Sequence, residues 1–120
     1  MEPSHIVAGA PDTDPALVMQ QLDIGNMYNA GAKALDMVNK YPGRFISMHV
    51  KDEIKSEIQR DPYESTILGK GILPVKEIID LGRKSGGTTL FIIEQESYQG
   101  LNPVDCAKAD LDTMKAWGYK

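Results

Sequence analysis

Three side chains that can bind a metal ion or move a proton lie at the ends of apolar stretches. Asp23 lies near the end of residues 18–26 (VMQQLDIGN), His49 in residues 45–52 (FISMHVKD) and Glu94 in residues 88–96 (TTLFIIEQE). An unpaired carboxylate is costly to bury, so each such position favours a metal ion, a cation or a hydrogen-bond donor nearby. Aspartate, histidine and glutamate together are typical ligands of Mn²⁺, Mg²⁺, Co²⁺ or Zn²⁺. We therefore predict a site for one divalent metal ion.

A structural role is the alternative for the same residues. A histidine at a strand end often only packs, and carboxylates there often accept hydrogen bonds in turns. The alternation of side chains along a strand places Asp23 on the same face as Gln21, and His49 on the same face as Ser47. In the second strand, the face that carries Ser47 and His49 is the more polar one.

Short strands alternate with amphipathic helices, which predicts a parallel α/β fold. We expect strands at 19–24, 45–50 and 88–94, a short strand at 4–8, and helices at 29–40, at 73–86 and from Asn102-Pro103 onward. The carboxyl ends of parallel strands meet at one edge of a sheet, so Asp23, His49 and Glu94 should converge there. Residues 51–71 are expected to form a polar loop with one or two helical turns. Gly69 and Gly71 within it indicate unusual φ angles or a close approach of the backbone.

The faces of these elements can also be predicted. In the second strand Ile46, Met48 and Val50 should pack on helices, because they alternate with the more polar side. In the last helix an apolar stripe recurs at helical spacing and should face the core. Its members are Val104, Ala107, Leu111, Met114 and Trp117. Cys106 is expected to be a packing residue at or near the surface.

Composition excludes several classes of function. The chain has 120 residues and a net charge of −4, and no cluster of lysine and arginine suits a nucleic acid. Its single cysteine excludes an intrachain disulfide. No apolar run approaches the ~18 residues of a membrane span, and the first residues lack a signal-peptide pattern. We expect a cytoplasmic protein without membrane partners.

Four motifs resemble the C-terminal part of the sugar phosphate isomerase/epimerase family, which has the xylose-isomerase-like TIM barrel. They are LDIGN at 22–26, MHVKD at 48–52, LGKGI at 68–72 and IIEQES at 92–97. The resemblance implies a partial (β/α) barrel of about three parallel strand–helix units over residues 14–120, after a lead-in at 1–13. It further implies that Asp23, His49 and Glu94 are the last three of four metal ligands.

The resemblance also implies roles around the metal. Asn26, Lys51 and Asp52 are expected near a sugar substrate, and Glu94 is expected to be catalytic by moving a proton next to a carbonyl. Tyr98 follows soon after Glu94 in the sequence. It is expected to form a wall of the substrate site.

One family feature has no counterpart. The first metal ligand of the family is a glutamate on the preceding strand, and the only acidic residues before Asp14 are Glu2 and Asp12. A complete barrel needs about 250 residues, so the chain resembles less than half of one. Two hypotheses follow: a metal-dependent sugar isomerase or epimerase, or a non-catalytic partial barrel that keeps a metal-type site and functions or folds only by association. An endonuclease of the same barrel type is a third hypothesis, but it would need more histidine and acidic ligands and a basic groove, which this sequence does not provide.

Association is expected on either hypothesis. The inner faces of the strands carry large apolar side chains that a complete barrel would cover with further strands. These side chains are Met19, Phe45, Leu90 and Ile92. We therefore expect a homo-oligomer, or a complex with a missing N-terminal half-barrel.

Overall fold

The computed structural model describes residues 12–57 and 60–120. The elements are β1 (Gln20–Asp23), α1 (Ile24–Asn29), α2 (Ala34–Lys40), β2 (Phe45–Val50), β3 (Asp52–Lys55), β4 (Tyr63–Thr66), α3 (Val75–Leu81) with a π-helical continuation at Gly82–Gly86, β5 (Leu90–Ile93) and α4 (Pro103–Ala116). Strands β1, β2 and β5 form a parallel sheet in that order, and β3 and β4 form a separate antiparallel hairpin. This mixed α/β fold with three parallel strands is consistent with part of a (β/α) barrel. The strand expected at 4–8 lies outside the described residues.

Helices cover one face of the parallel sheet. Leu22, Met48 and Val50 point to that face and are at most 1% exposed. The molecule measures 43 × 34 × 19 Å, and its smallest dimension is the thickness of one sheet with one layer of helices. On the opposite face, Leu90 is 56% exposed and Ile92 36%. No helix among the described residues is long and apolar enough to span a membrane.

The alternation predicted for β2 fails at its first two residues. Gln20 pairs with Phe45 and Gln21 with Ser47, so Ile46 is an extra residue with no partner in β1. An extra residue interrupts the alternation of faces. Phe45 is therefore fully buried in the core, whereas Ile46 is 47% exposed. The prediction of an inner-face Phe45 and a helix-packed Ile46 is wrong.

Two separate helices occupy this region: α1 ends at Asn29, where the helix predicted at 29–40 should begin, and only α2 (Ala34–Lys40) falls within the predicted range. The first, α1, begins directly after β1, because Asp23 accepts a hydrogen bond from Asn26 N and caps its first turn. The chain then turns at Gly31, which has a φ of +90°, a conformation that glycine adopts without steric cost. The second helix, α2, therefore starts only at Ala34.

The described residues between 51 and 71 contain the β3–β4 hairpin and no helical turn. Asp52 pairs with Thr66 and Lys55 with Tyr63, so the prediction of a loop with helical turns is wrong. The sequence of this segment has no strong apolar periodicity that would favour a helix or a strand. Its secondary structure therefore depends on the pairing of its two halves.

Helix α4 begins as predicted, but only part of its predicted stripe, Met114 and Trp117, packs against the core. Asn102 accepts hydrogen bonds from the first turn and Pro103 is the first helical residue. Cys106 and Asp110 are the buried residues of α4, at 1% exposure, while two members of the predicted stripe, Val104 and Leu111, are 75% and 47% exposed. Asp110 Oδ1 accepts a hydrogen bond from Leu68 N, and this bond holds the face of α4 that carries Asp110 and Cys106 against the rest of the chain. Cys106 is therefore a core residue.

Candidate metal centre

Three strand ends bring the predicted ligands together at the carboxyl edge of the parallel sheet. Asp23 is paired with His49 in the register of β1 and β2, and Glu94 directly follows β5. One ligand atom from each residue lies within 4.8 Å of the other two. His49 Nδ1 is 2.6 Å from Glu94 Oε2 and 3.3 Å from Asp23 Oδ2. The convergence predicted from strand alternation is confirmed.

The cap of α1 orients the carboxylate of Asp23. Its Oδ1 accepts a hydrogen bond of 2.9 Å from Asn26 N, which leaves Oδ2 directed toward His49. The side chain of Asn26 donates to Oδ2 at 3.1 Å. Asn26 is exposed, so this predicted substrate-binding residue lies at the open side of the cluster.

The donor set fits a divalent cation. Glu94 Oε2 is buried and lies 2.6 Å from His49 Nδ1 and 3.4 Å from Lys51 Nζ. A buried carboxylate oxygen is costly without a cation beside it, and the Lys51 ammonium supplies one before any metal ion binds. Two carboxylate oxygens and one imidazole nitrogen suit Mn²⁺, Co²⁺ or Zn²⁺, and with added water Mg²⁺. Asp23, His49 and Glu94 are therefore the residues that would hold the ion.

Lys51 lies among the carboxylates of this cluster. Its side chain is 1% exposed, and its Nζ lies 3.2 Å from Asp23 Oδ2, 3.4 Å from Glu94 Oε2 and 3.4 Å from Glu96 Oε1. Burial lowers the pKa of Lys51, but the carboxylates of Asp23, Glu96 and Glu94 outweigh it, so the net pKa is raised. The ammonium is therefore charged and shielded from solvent. This position does not favour the direct substrate contact that the resemblance implies.

Asp52 holds the neighbouring backbone together. It is 1% exposed, and its two oxygens accept hydrogen bonds from four backbone N–H groups at 2.9–3.1 Å. The donors are Glu53, Gly69, Gly71 and Leu73. With its oxygens occupied and buried, Asp52 is not placed to contact a substrate.

The two glycines of this turn have the conformations predicted from their spacing. Gly69 has a φ of +85°. A Cβ at Gly71 would overlap the Asp52 carboxylate and the Glu53 carbonyl oxygen. Both glycines are therefore needed for the turn that Asp52 binds.

Glu53 is a buried carboxyl that the sequence analysis did not single out. It is 3% exposed, and its Oε2 accepts no hydrogen bond from a described residue. Burial raises its pKa from 4.5 to about 7, while the nearby Lys51 ammonium acts in the opposite direction. A Cβ at Gly25 would overlap both Glu53 Oε1 and the side chain of Lys51. The only sequence feature that could have pointed to Glu53 is the run of charged residues directly after β2.

The β3–β4 hairpin positions the loop after Glu94. Ser65 Oγ accepts hydrogen bonds from Glu96 N at 2.7 Å and Ser97 N at 2.9 Å. Tyr98 donates from its hydroxyl to Gln95 O and lines a cavity of about 310 Å³ together with Glu94. Tyr98 and Glu94 therefore line the same cavity, whose other walls include residues of α4 but not Asp23 or His49.

Comparisons with known proteins identify a shared fold. No protein-family model and no curated protein matches the chain. The crystal structure of a xylose isomerase domain protein from Planctomyces limnophilus is similar, with a TM-score of 0.65 and 19% sequence identity, over 97% of this chain and 41% of that chain. This chain therefore spans about two fifths of the length of that structure. At this identity the likeness shows the fold alone: the chain shares its α/β architecture with part of a xylose isomerase-like protein.

Proposed function

We propose that the chain belongs to a metal-dependent isomerase or epimerase of the sugar phosphate isomerase/epimerase type. Its substrate would be a sugar or sugar phosphate, and its reaction the transfer of a proton next to a carbonyl. The observation that carries this proposal is the convergence of Asp23, His49 and Glu94 within 4.8 Å. The likeness of the fold to a xylose isomerase domain protein supports the same class of reaction.

Each residue of the cluster has a distinct part in this proposal. Asp23, His49 and Glu94 would hold one divalent ion, which when bound polarises a carbonyl and its neighbouring hydroxyl. Glu94 is 31% exposed at its side chain and takes or returns the proton on the adjacent carbon. Asn26 lies at the exposed side to bind hydroxyl groups. Tyr98 limits the space beside Glu94.

A second candidate is a non-catalytic partial barrel that keeps the metal-type site. It is favoured by the open face of the sheet, where Leu90 is 56% exposed, because a barrel enzyme normally covers that face. Metal-dependent turnover of a ketose or an aldose by the purified chain would exclude this candidate.

The metal site can be tested by thermal unfolding with and without Mn²⁺. A ligand that binds only the folded state stabilises it, by about 2.7 kcal/mol at a concentration of about 100 times its Kd. Asp23→Asn keeps an N-cap side chain but removes the ligand charge, and His49→Ala removes the imidazole. Both variants should fold and lose the Mn²⁺-induced rise in Tm.

Asp112→Asn is the matched control, because Asp112 is an exposed carboxylate paired with Lys108 on α4. It should keep the full Mn²⁺ response. If Asp23→Asn and His49→Ala respond to Mn²⁺ as the unaltered chain does, the assignment of the ligands is wrong.

A further inference from the structure

Lys51 shares its carboxylate oxygens with the proposed metal ion. Its Nζ lies 3.2 Å from Asp23 Oδ2 and 3.4 Å from Glu94 Oε2, the oxygens that also lie nearest His49 Nδ1. A metal ion bound to them at about 2.0–2.5 Å would therefore stand a few ångströms from a positive charge. The ammonium and the metal ion compete for the same negative charge.

The chain holds this ammonium in place from several sides. The lysine stem passes Gly25, where a Cβ would overlap it, and Glu96 supplies a third carboxylate 3.4 Å from Nζ. The Lys51 side chain is 1% exposed, whereas the side chains of Asp23, Glu94 and Glu96 are 20%, 31% and 63% exposed, so water reaches the carboxylates but not the ammonium. A buried lysine with three carboxylate partners is strongly held in one position.

We propose that Lys51 is the resident counter-ion of the metal site, which holds Asp23 and Glu94 in ligand positions and lowers the affinity of the site for divalent metal. Three carboxylates would otherwise repel one another at short range, and the ammonium reduces that repulsion. The same positive charge repels an arriving divalent cation. Lys51 is thus a positioning residue. The inference rests on the proposed metal site.

Replacement of Lys51 by methionine separates the two effects, because methionine keeps an unbranched stem without charge. Without metal, Lys51→Met should have a Tm several degrees lower, since the carboxylates lose their counter-ion. With Mn²⁺, counted as the free ion by electron paramagnetic resonance, its Kd should be at least tenfold tighter, which is about 1.4 kcal/mol. Saturating Mn²⁺ should then reduce or reverse the deficit in Tm. A residue that merely packs would not tighten the binding of a metal ion.

Two further variants make the result specific. Lys108→Met removes the same charge from an exposed pair on α4 and should change neither Tm nor Kd appreciably. Lys51→Gln keeps a polar side chain at the same position and replaces Lys51→Met in the experiment if that variant does not fold. It should also bind Mn²⁺ more tightly than the unaltered chain. Addition of His49→Ala to either Lys51 variant should abolish the binding.

The outcomes distinguish this inference from the proposed function. If the unaltered chain binds Mn²⁺, His49→Ala abolishes binding and the Lys51 variants bind equally or more weakly, the counter-ion role is refuted while the metal site stands. If neither the unaltered chain nor a Lys51 variant binds Mn²⁺, the metal site and the counter-ion role of Lys51 are both refuted. Binding by a Lys51 variant alone would support the inference, because the ammonium then excludes the ion from the unaltered site.

Discussion

At the scale of single residues, Glu53 places an ionisable group where its charge is unfavourable. Burial raises its pKa from 4.5 to about 7, so in the folded chain it retains a proton that the unfolded chain has already released. Between these pH values the folded state binds more protons than the unfolded state, and stability falls as pH rises. The raised pKa of Glu53 therefore does not change the free energy of unfolding below about pH 4.5, and it lowers that free energy by its full amount above about pH 7.

We expect Glu53→Gln to be more stable than the unaltered chain above pH 7, by about 1–3 kcal/mol. The difference should shrink toward pH 4.5, because both side chains are then neutral. Urea unfolding across this pH range measures it. Glu57→Gln, at an exposed position nearby in the chain, should show no such pH-dependent gain. A gain for Glu53→Gln that is constant with pH would contradict the raised pKa.

At the scale of elements, one carboxylate connects the β3–β4 hairpin to the turn that precedes α3. Asp52 is the first residue of β3 and accepts hydrogen bonds from Gly69 N, Gly71 N and Leu73 N. The hairpin in turn holds the loop after Glu94 through Ser65. The position of that loop therefore depends on contacts made by β3 and β4.

Asp52→Asn should destabilise the chain by about 2–5 kcal/mol, because its amide NH₂ would face backbone N–H groups that need an acceptor. Denaturant unfolding gives the free-energy difference. Asp112→Asn serves as control, since Asp112 is 58% exposed, and should change stability by less than about 0.5 kcal/mol. A similarly small loss for Asp52→Asn would show that the four hydrogen bonds do not hold the turn.

At the scale of the whole molecule, the uncovered face of the sheet favours association. Met19, Leu90 and Ile92 are 39%, 56% and 36% exposed. Within residues 12–57 and 60–120, no further strand pairs with the outer edge of β1 or of β5. Burial of a large apolar side chain contributes about 1.5–3 kcal/mol, and unpaired strand edges bind other strands. We propose that the chain forms a homo-oligomer through this face and these edges, or binds a complementary half-barrel.

Sedimentation equilibrium should accordingly give a mass above 13.2 kDa at micromolar concentration. Leu90→Asp, which places a charge on the exposed face at the first residue of the outer strand β5, should shift the mass toward the monomer. Leu17→Asp is the control, because Leu17 is 82% exposed and precedes the sheet, and it should leave the mass unchanged. A stable monomer of the unaltered chain that binds no hydrophobic dye would refute the proposal.

The sequence by itself determined the features that follow from local patterns and from the parallel order of the strands. Strand alternation and strand order along the chain were sufficient to predict that Asp23, His49 and Glu94 meet, because parallel strands end at one edge. The start of α4 at Asn102-Pro103 followed from capping preferences. The close approach at Gly71 followed from the spacing of two glycines.

Only the tertiary structure decided which polar residues are buried and what they contact. The bulge at Ile46 depends on the register with β1, and the β3–β4 hairpin depends on pairing between segments of weak apolar period. Lys51 and Glu53 pack against Gly25, and the Lys51 ammonium lies within 3.4 Å of carboxylate oxygens of Asp23, Glu94 and Glu96. These contacts join residues far apart in the sequence, so no local pattern encodes them, and their energies depend on burial that the fold alone creates.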